Sequence, residues 1–248
     1  MIDPGHGGID SGAIGNGLIE KELNLKIAFK IHRYLVNNFN CDAKLTRLSD
    51  EDVSLEQRAL EANYWGADFF YSVHCNAHTN RAARGWETFT FENAPTETRI
   101  LQSVIHPKIF TFLKDFNVVD RGKKQANFYV LRETSMPAVL AEYLFVTNDS
   151  DSFLLKREDF IDDLAKASAY AIAEAFCLEV LDSNKIFDDV PTDHWARRYI
   201  EWAFSIGIVS GVGNNKFAHS EEDLERKAQI LVMIGRYHKF LFSKLKNK

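Results

Sequence analysis

The chain has 248 residues, enough for one large domain and a small one. Its apolar fraction of 46% and charged fraction of 26% are ordinary globular values. A net charge of −5 and the lack of a basic run speak against a nucleic-acid binder, and no stretch approaches transmembrane length. The three cysteines, Cys41, Cys75 and Cys177, are odd in number and far apart, which reads as free thiols rather than a disulfide framework.

The chain opens on Met1-Ile2-Asp3-Pro4-Gly5-His6-Gly7-Gly8, a strand-like start that runs into a glycine-rich turn carrying a histidine. No signal-peptide pattern precedes it. So little strand stands before Asp3 that a missing upstream segment is expected. Glu22 to Phe39 is predicted helical, with Leu23, Ile27, Ile31 and Leu35 on one face. Ala43 to Arg47 reads as a short strand, and Ser54-Leu55-Glu56-Gln57 is a capping-box pattern that opens a helix through Asn63. Phe69 to His74 is a buried strand and Trp86 to Phe91 another. Thr96 to Asp115 is helical, with Pro107 expected to kink or interrupt it. Phe128 to Arg132 and Ala138 to Glu142 supply two more strands, and Asp159 to Cys177 a closing helix.

This alternation predicts an α/β fold: a single mixed, mostly parallel sheet flanked by helices over residues 1–180. Leu181 to Ile186 reads as a linker. Helical patterns at Ala196 to Ile206 and Glu222 to Phe242 then predict a small α-helical domain over 187–242, too short for a generous core of its own.

His6 sits in the glycine turn, Glu20 at the head of a helix, and His74 at the end of a buried strand. Two imidazoles and a carboxylate from separate elements can hold one zinc ion and leave its fourth position open, which points to a metal-dependent hydrolase. In open α/β sheets, sites form beyond the carboxyl ends of strands, where both histidines fall. Glu20 is expected to be held by the amide groups of its helix's first turn. The plainer alternative is three unrelated polar residues. His78 is close enough to support His74; the other histidines read as surface or packing residues.

Glu142 ends an apolar strand, where a carboxylate is costly unless it faces a site. Beside a metal-activated water it could move a proton. The alternative is a strand-end salt bridge with Arg132 or Arg47. Cys75, the strand neighbour of His74, points to the opposite face and is expected to be a packing residue.

Taken together, these motifs resemble the zinc-dependent N-acetylmuramoyl-L-alanine amidases of the type 3 group. The match runs through Ile2 to Gly8, Gly17-Leu18-Ile19-Glu20-Lys21, Leu45-Thr46-Arg47 and Ser54 to Arg58. Ala62-Asn63, Ser72 to Ala77, Val130-Leu131-Arg132, Met136 to Glu142 and Asn148 complete it. The resemblance implies one zinc ion held by His6, Glu20 and His74, with Glu142 as the catalytic carboxylate. It implies a peptidoglycan hydrolase that cleaves the amide between N-acetylmuramic acid and L-alanine of the stem peptide by zinc-activated water. Cys75 and Leu144 depart from the family, which commonly has a small residue and a glycine there; Leu144 is expected to alter the shape of the cleft. Only Glu92 to Pro95 separates the Trp86 strand from the next helix, so the site-blocking helix of the cell-division members does not fit. An open site is expected.

The tail, from Phe187-Asp188-Asp189-Val190-Pro191 and His194-Trp195-Ala196 to Gly211, resembles one S-layer homology repeat and continues loosely through Phe217 and Leu224-Glu225-Arg226. That implies binding to a secondary cell-wall polysaccharide, with Arg226 in contact with the polymer. Glu225 replaces the usual threonine and His219 a customary proline. Such repeats work in threes, so a homo-oligomer is one expectation and a helical hairpin that only packs is the other. The protein is expected at the cell wall as a phage endolysin or an N-terminally truncated secreted enzyme. Two other functions stay open: a non-catalytic wall-binding protein, and a zinc carboxypeptidase acting on the stem peptide.

Overall fold

A five-stranded sheet organises the larger part of the molecule. The computed structural model describes residues 1–180, 187–191, 193–205, 208–213 and 216–245. They divide into two units, Met1–Leu35 with Ala43–Leu178, and Val36–Asp42 with Glu179–Lys248. The expected linker, Leu181 to Ile186, lies outside the described residues, as does Ile206.

In the first unit, β1 (Ile2–Pro4) is followed by a hairpin, β2 (Ile14–Gly15) and β3 (Leu18–Ile19), and by α1 (Glu20–Asn38). The hairpin turns on Asn16-Gly17, both at positive φ, as a two-residue turn of this kind requires. Next come α2 (Leu55–Trp65), β4 (Phe70–Asn76), β5 (Trp86–Thr90), α3 (Thr96–Leu113), β6 (Asp120–Gln125) and α4 (Tyr129–Arg132). β7 (Ala138–Phe145), α5 (Asp149–Leu155) and α6 (Glu158–Ala175) complete the unit. The sheet order is β1-β4-β7-β5-β6. All neighbours pair in parallel except β5 and β7, so the sheet is mixed and mostly parallel, as anticipated.

Each sheet face has its own cover. On one face Trp86 stacks on His106 of α3, and the Tyr143 hydroxyl links those of Tyr71 (2.7 Å) and Ser168 of α6 (2.6 Å). On the other face, Ala62 of α2 and Val130 and Leu131 of α4 pack over Phe70, Ala138 and Leu140. That second cover stops short of the next row along the strands, where His74, Glu142 and Glu87 stand side by side in register.

Three expectations change, and one strand was not anticipated. Ala43 to Arg47 forms only a bridge, Ile2 to Leu45, because the Thr46 and Arg47 side chains turn inward to bond Asp3 and Pro4. Phe128 to Arg132 is a short helix rather than a strand, with Val130 and Leu131 both inside the α2 side of the core. Pro107 lies within an unbroken α3. The carbonyl it leaves without a donor belongs to Ser103, and both residues are exposed, so water can serve it. β6, with the polar sequence DRGKKQ, shows no strand pattern and forms by pairing with β5.

In the second unit, α7 (Arg197–Ser205) and α8 (Glu221–Leu245) enclose a small apolar core. Phe187, Ile200, Ala203, Phe204, Phe217 and Leu231 are among its buried residues. The Asp189 carboxylate ties the segment before α7 to the one before α8 by accepting from the amides of Phe217 (2.7 Å) and Ala218 (2.9 Å).

Candidate active site

His6, Glu20 and His74 are brought together, their candidate ligand atoms lying within 4.8 Å of one another. Glu20 Oε1 is 3.2 Å from His6 Nε2 and 3.0 Å from His74 Nδ1. Two ligands about 2.1 Å from one tetrahedral zinc ion stand about 3.4 Å apart, so the spacing fits such an ion. The protonation energetics agree. Burial pushes His6 down, but the Glu20 and Asp10 carboxylates override it and hold the imidazole up at about 9. Burial pushes Glu20 up, but His6 and His74 hold its carboxyl well below the usual range. The cluster favours positive charge between these groups, which is what a cation supplies.

The backbone around His6 is built for this purpose. His6 itself adopts a left-handed φ of +61°, a conformation that costs a non-glycine residue roughly 1 kcal/mol or more. Two buried arginines grip the carbonyls that define the turn. Arg58 donates to the carbonyls of Pro4 (2.7 Å) and His6 (2.8 Å), and Arg47 to those of Pro4 (2.9 Å) and Gly5 (3.1 Å). Asp3 balances the charge by accepting from Arg58 (2.8 Å), Thr46 (2.6 Å) and Ser72 (2.7 Å). Gly5 is required sterically: a Cβ there would lie 2.1 Å from His74 Cε1.

Asp10 accepts from His6 Nδ1 at 2.7 Å, which leaves Nε2 facing Glu20. A carboxylate on the outer nitrogen of a ligating histidine fixes its tautomer and orientation. Contrary to expectation, the amides that hold Glu20 are not those of the first turn of α1 but those of Ala13 (2.7 Å) and Cys75 (3.2 Å). His78 does not support His74 either, since its Nδ1 accepts from the Asn80 amide.

Glu142 pairs in register with His74. Its Oε2 is sealed from solvent without a hydrogen-bond partner, and neither Arg132 nor Arg47 pairs with it. Burial, then Glu20 and Glu87, push its carboxyl well above the usual range. A shifted carboxyl beside a metal-ligand cluster is the pattern of a proton-transfer group. Cys75 is buried, and burial followed by the Glu20 and Glu142 charges pushes its thiol well up, which disfavours a thiolate. Leu144 has a φ of +65°, so the glycine common at this position in the family has a backbone reason. Between β5 and α3 no helix intervenes. Arg226, on α8, is exposed and donates to Asp223 at 3.4 Å.

Sequence reasoning missed the work of Asp3, Asp10, Arg47 and Arg58. No local signal marked them: Arg47 and Arg58 stand in mixed polar runs, Leu45-Thr46-Arg47 and Ser54-Leu55-Glu56-Gln57-Arg58, where an arginine reads as exposed.

Comparison with known proteins matches the first unit and the first part of the second. Residues 186–218 match the S-layer homology domain. Residues 1–174 match the family described as N-acetylmuramoyl-L-alanine amidase. The amidase CwlM of Bacillus licheniformis is 45% identical over 179 residues, which cover 72% of this chain and 68% of that protein. An endolysin of Bacillus phage SPP1 is 43% identical over 180 residues, or 72% of this chain and 66% of the endolysin. Among solved structures, an N-acetylmuramoyl-L-alanine amidase from Clostridium difficile 630 superposes with a TM-score of 0.68 at 35% identity. It covers 71% of this chain and 95% of that one. The chain belongs to the N-acetylmuramoyl-L-alanine amidase family, the peptidoglycan hydrolases that cut the amide between N-acetylmuramic acid and L-alanine.

Proposed function

We propose that residues 1–180 form the catalytic domain of a peptidoglycan amidase in which His6, Glu20 and His74 hold one zinc ion and Glu142 transfers the proton. The observation that carries this reading is the register of β4 and β7, which sets Glu142, with its partnerless Oε2, beside His74 of the ligand cluster. When bound, zinc supplies Lewis-acid polarisation of the scissile carbonyl and eases the deprotonation of water. Glu142 takes a proton from the attacking water and delivers it to the departing alanine nitrogen. Asp10 keeps His6 in one tautomer, and the arginine-held turn keeps it in place.

Incubation with purified peptidoglycan tests this. New lactyl carboxyls and L-alanine amino termini are expected, and are expected to vanish with Glu142→Ala or a chelator. Release of D-alanine alone would point to a carboxypeptidase, and no product at all to a binding protein.

The S-layer homology match over residues 186–218 supports targeting to a cell-wall polysaccharide, and we propose that the repeat extends over 187–242 with Arg226 as the contact. Glu225, the residue that would repel an anionic polymer, accepts from Trp195 Nε1 (3.1 Å) and faces His194 (3.3 Å), which leaves Arg226 beside it exposed. Co-sedimentation with walls, lost in Arg226→Ala, is expected. Because one repeat supplies a third of the usual set, we propose homotrimerisation through it; a concentration-independent monomer mass by light scattering would refute that. The place of action is the cell wall, reached either as a phage lysin or by secretion. Among the described residues, no helix is long and apolar enough to cross a membrane.

A further inference from the structure

The row His74, Glu142 does not end at Glu142. Across the next strand pair, in register, stands Glu87, a buried carboxylate on β5. Asn76 donates to its Oε1 at 2.7 Å, Arg121 Nε donates to its Oε2 at 2.7 Å, and Lys124 Nζ pairs with the same oxygen. One cation would balance this carboxylate; β6 supplies two.

Their convergence is not a default of the strand. Residues three apart on a regular strand face opposite sides. Here the β5–β6 register shifts between Trp86 and Thr88, and Gly122 takes a φ of +81°. This bulge turns both side chains onto Glu87, as bulges re-aim side chains next to functional sites. Each cation is also held against an aromatic ring, Arg121 over Phe145 at 4.8 Å and Lys124 over Phe89 at 5.7 Å. The Arg121 and Lys124 side chains remain 32% and 37% exposed. Among the described residues, the Arg121 Nη groups have no hydrogen-bond partner. The result is a fixed, net positive pair with donors to spare.

We propose that Arg121 and Lys124 form a subsite for a carboxylate of the stem peptide, resting on the amidase reading of the adjacent site. The amide-linked muramoyl group brings no carboxylate of its own, whereas the peptide does. The peptide therefore runs from Glu142 toward β6, and the glycan leaves on the side of His6. Two strand spacings separate Glu142 from β6, about 10 Å. The two side chains reach back to Glu87, one spacing or about 5 Å from Glu142, and two extended residues span about 7 Å, so a carboxylate on the second stem residue is within range.

The test compares N-acetylmuramoyl-L-alanyl-D-glutamate with its uncharged diamide as substrates of the zinc-loaded full chain. The wild type is expected to prefer the dicarboxylate by about tenfold or more in kcat/KM, chiefly through KM. Arg121→Gln/Lys124→Gln is expected to bring the ratio to about one, and Lys124→Arg to keep the preference. A wild type indifferent to the two substrates overturns the subsite. So does a double variant that keeps the preference, or one that loses both substrates in proportion, which would make the pair structural. If the wild type cleaves neither substrate, nor peptidoglycan, the amidase reading itself falls and takes the subsite with it.

Discussion

Replacing Arg58 by methionine removes the donor that holds the carbonyls of Pro4 and His6 and leaves the Asp3 carboxylate, 1% exposed, without its countercharge. Breaking a buried pair on one side costs about 3–5 kcal/mol. Pro4 keeps the Arg47 bond, but the carbonyls of His6 and Val53 lose their donor; Val53 is half-buried and can turn to water, so His6 dominates, at about 1 kcal/mol or more. The expected loss is about 4–6 kcal/mol, a large share of a typical 5–15 kcal/mol. Urea unfolding of the zinc-free protein would show it as a midpoint lowered by about 2 M. Asp3→Asn/Arg58→Met is expected to recover part of the loss, because the stranded charge goes with its partner. Zinc affinity, read by competition with a chelating dye, should fall roughly 10–100-fold as His6 leaves its strained conformation. A loss below about 1 kcal/mol, or an unchanged zinc affinity, would refute the idea that the arginine holds the metal ligand in place.

Gly5→Ala places a methyl group on the His74 ring and is expected to yield a folded protein with little bound zinc, measured by metal analysis. Leu144→Gly relieves about 1 kcal/mol of left-handed strain but removes a fully buried side chain, so a net loss of about 2–4 kcal/mol is expected in thermal melts. Glu142→Gln should retain zinc and lose about 10²–10⁴ in turnover. Without metal, the same change should stabilise the protein at neutral pH. The native Glu142 carboxyl titrates above its unfolded value, so between the two the native state binds more protons and wild-type stability falls as pH rises. That decline, at most about 1.4 kcal/mol per pH unit, should be weaker in Glu142→Gln. Zinc at a thousandfold excess over its Kd should stabilise the wild type by about 4 kcal/mol, a gain removed by chelator.

The elements that place the site were readable because burial dictates their composition. Phe70 to His74 and Ala138 to Glu142 lie in the middle of the sheet and are apolar almost throughout. The Ser54 capping box is likewise local chemistry, and it is present in full. Elements set by tertiary context were not readable. Phe128 to Arg132 is rich in aromatic and branched residues and fits a strand or a buried helix equally well; contact with Ala62 and Phe70 decides for helix. β6 is polar at nearly every position, and only its neighbour makes it a strand. In the site, the histidines and glutamates could be picked out by type and position. The Asp10 contact, a side-chain pair across a turn, and the double grip of Arg47 and Arg58 on backbone carbonyls could not, since neither leaves a period in the chain.

The bridge at Leu45 has a bearing on how the protein survives at high concentration. β1 is the outermost strand on its side of the sheet, and such an edge normally offers unpaired amides and carbonyls to any passing strand. Here the Ile2 amide donates to Lys44 (2.8 Å) and the Ile2 carbonyl accepts from Thr46 (3.1 Å), while Arg47 and Arg58 occupy the Pro4 carbonyl. A second molecule finds no ladder to extend along this edge. The segment that presents a metal ligand thus also guards the fold against edge-to-edge aggregation, and loosening it exposes the molecule to both losses at once.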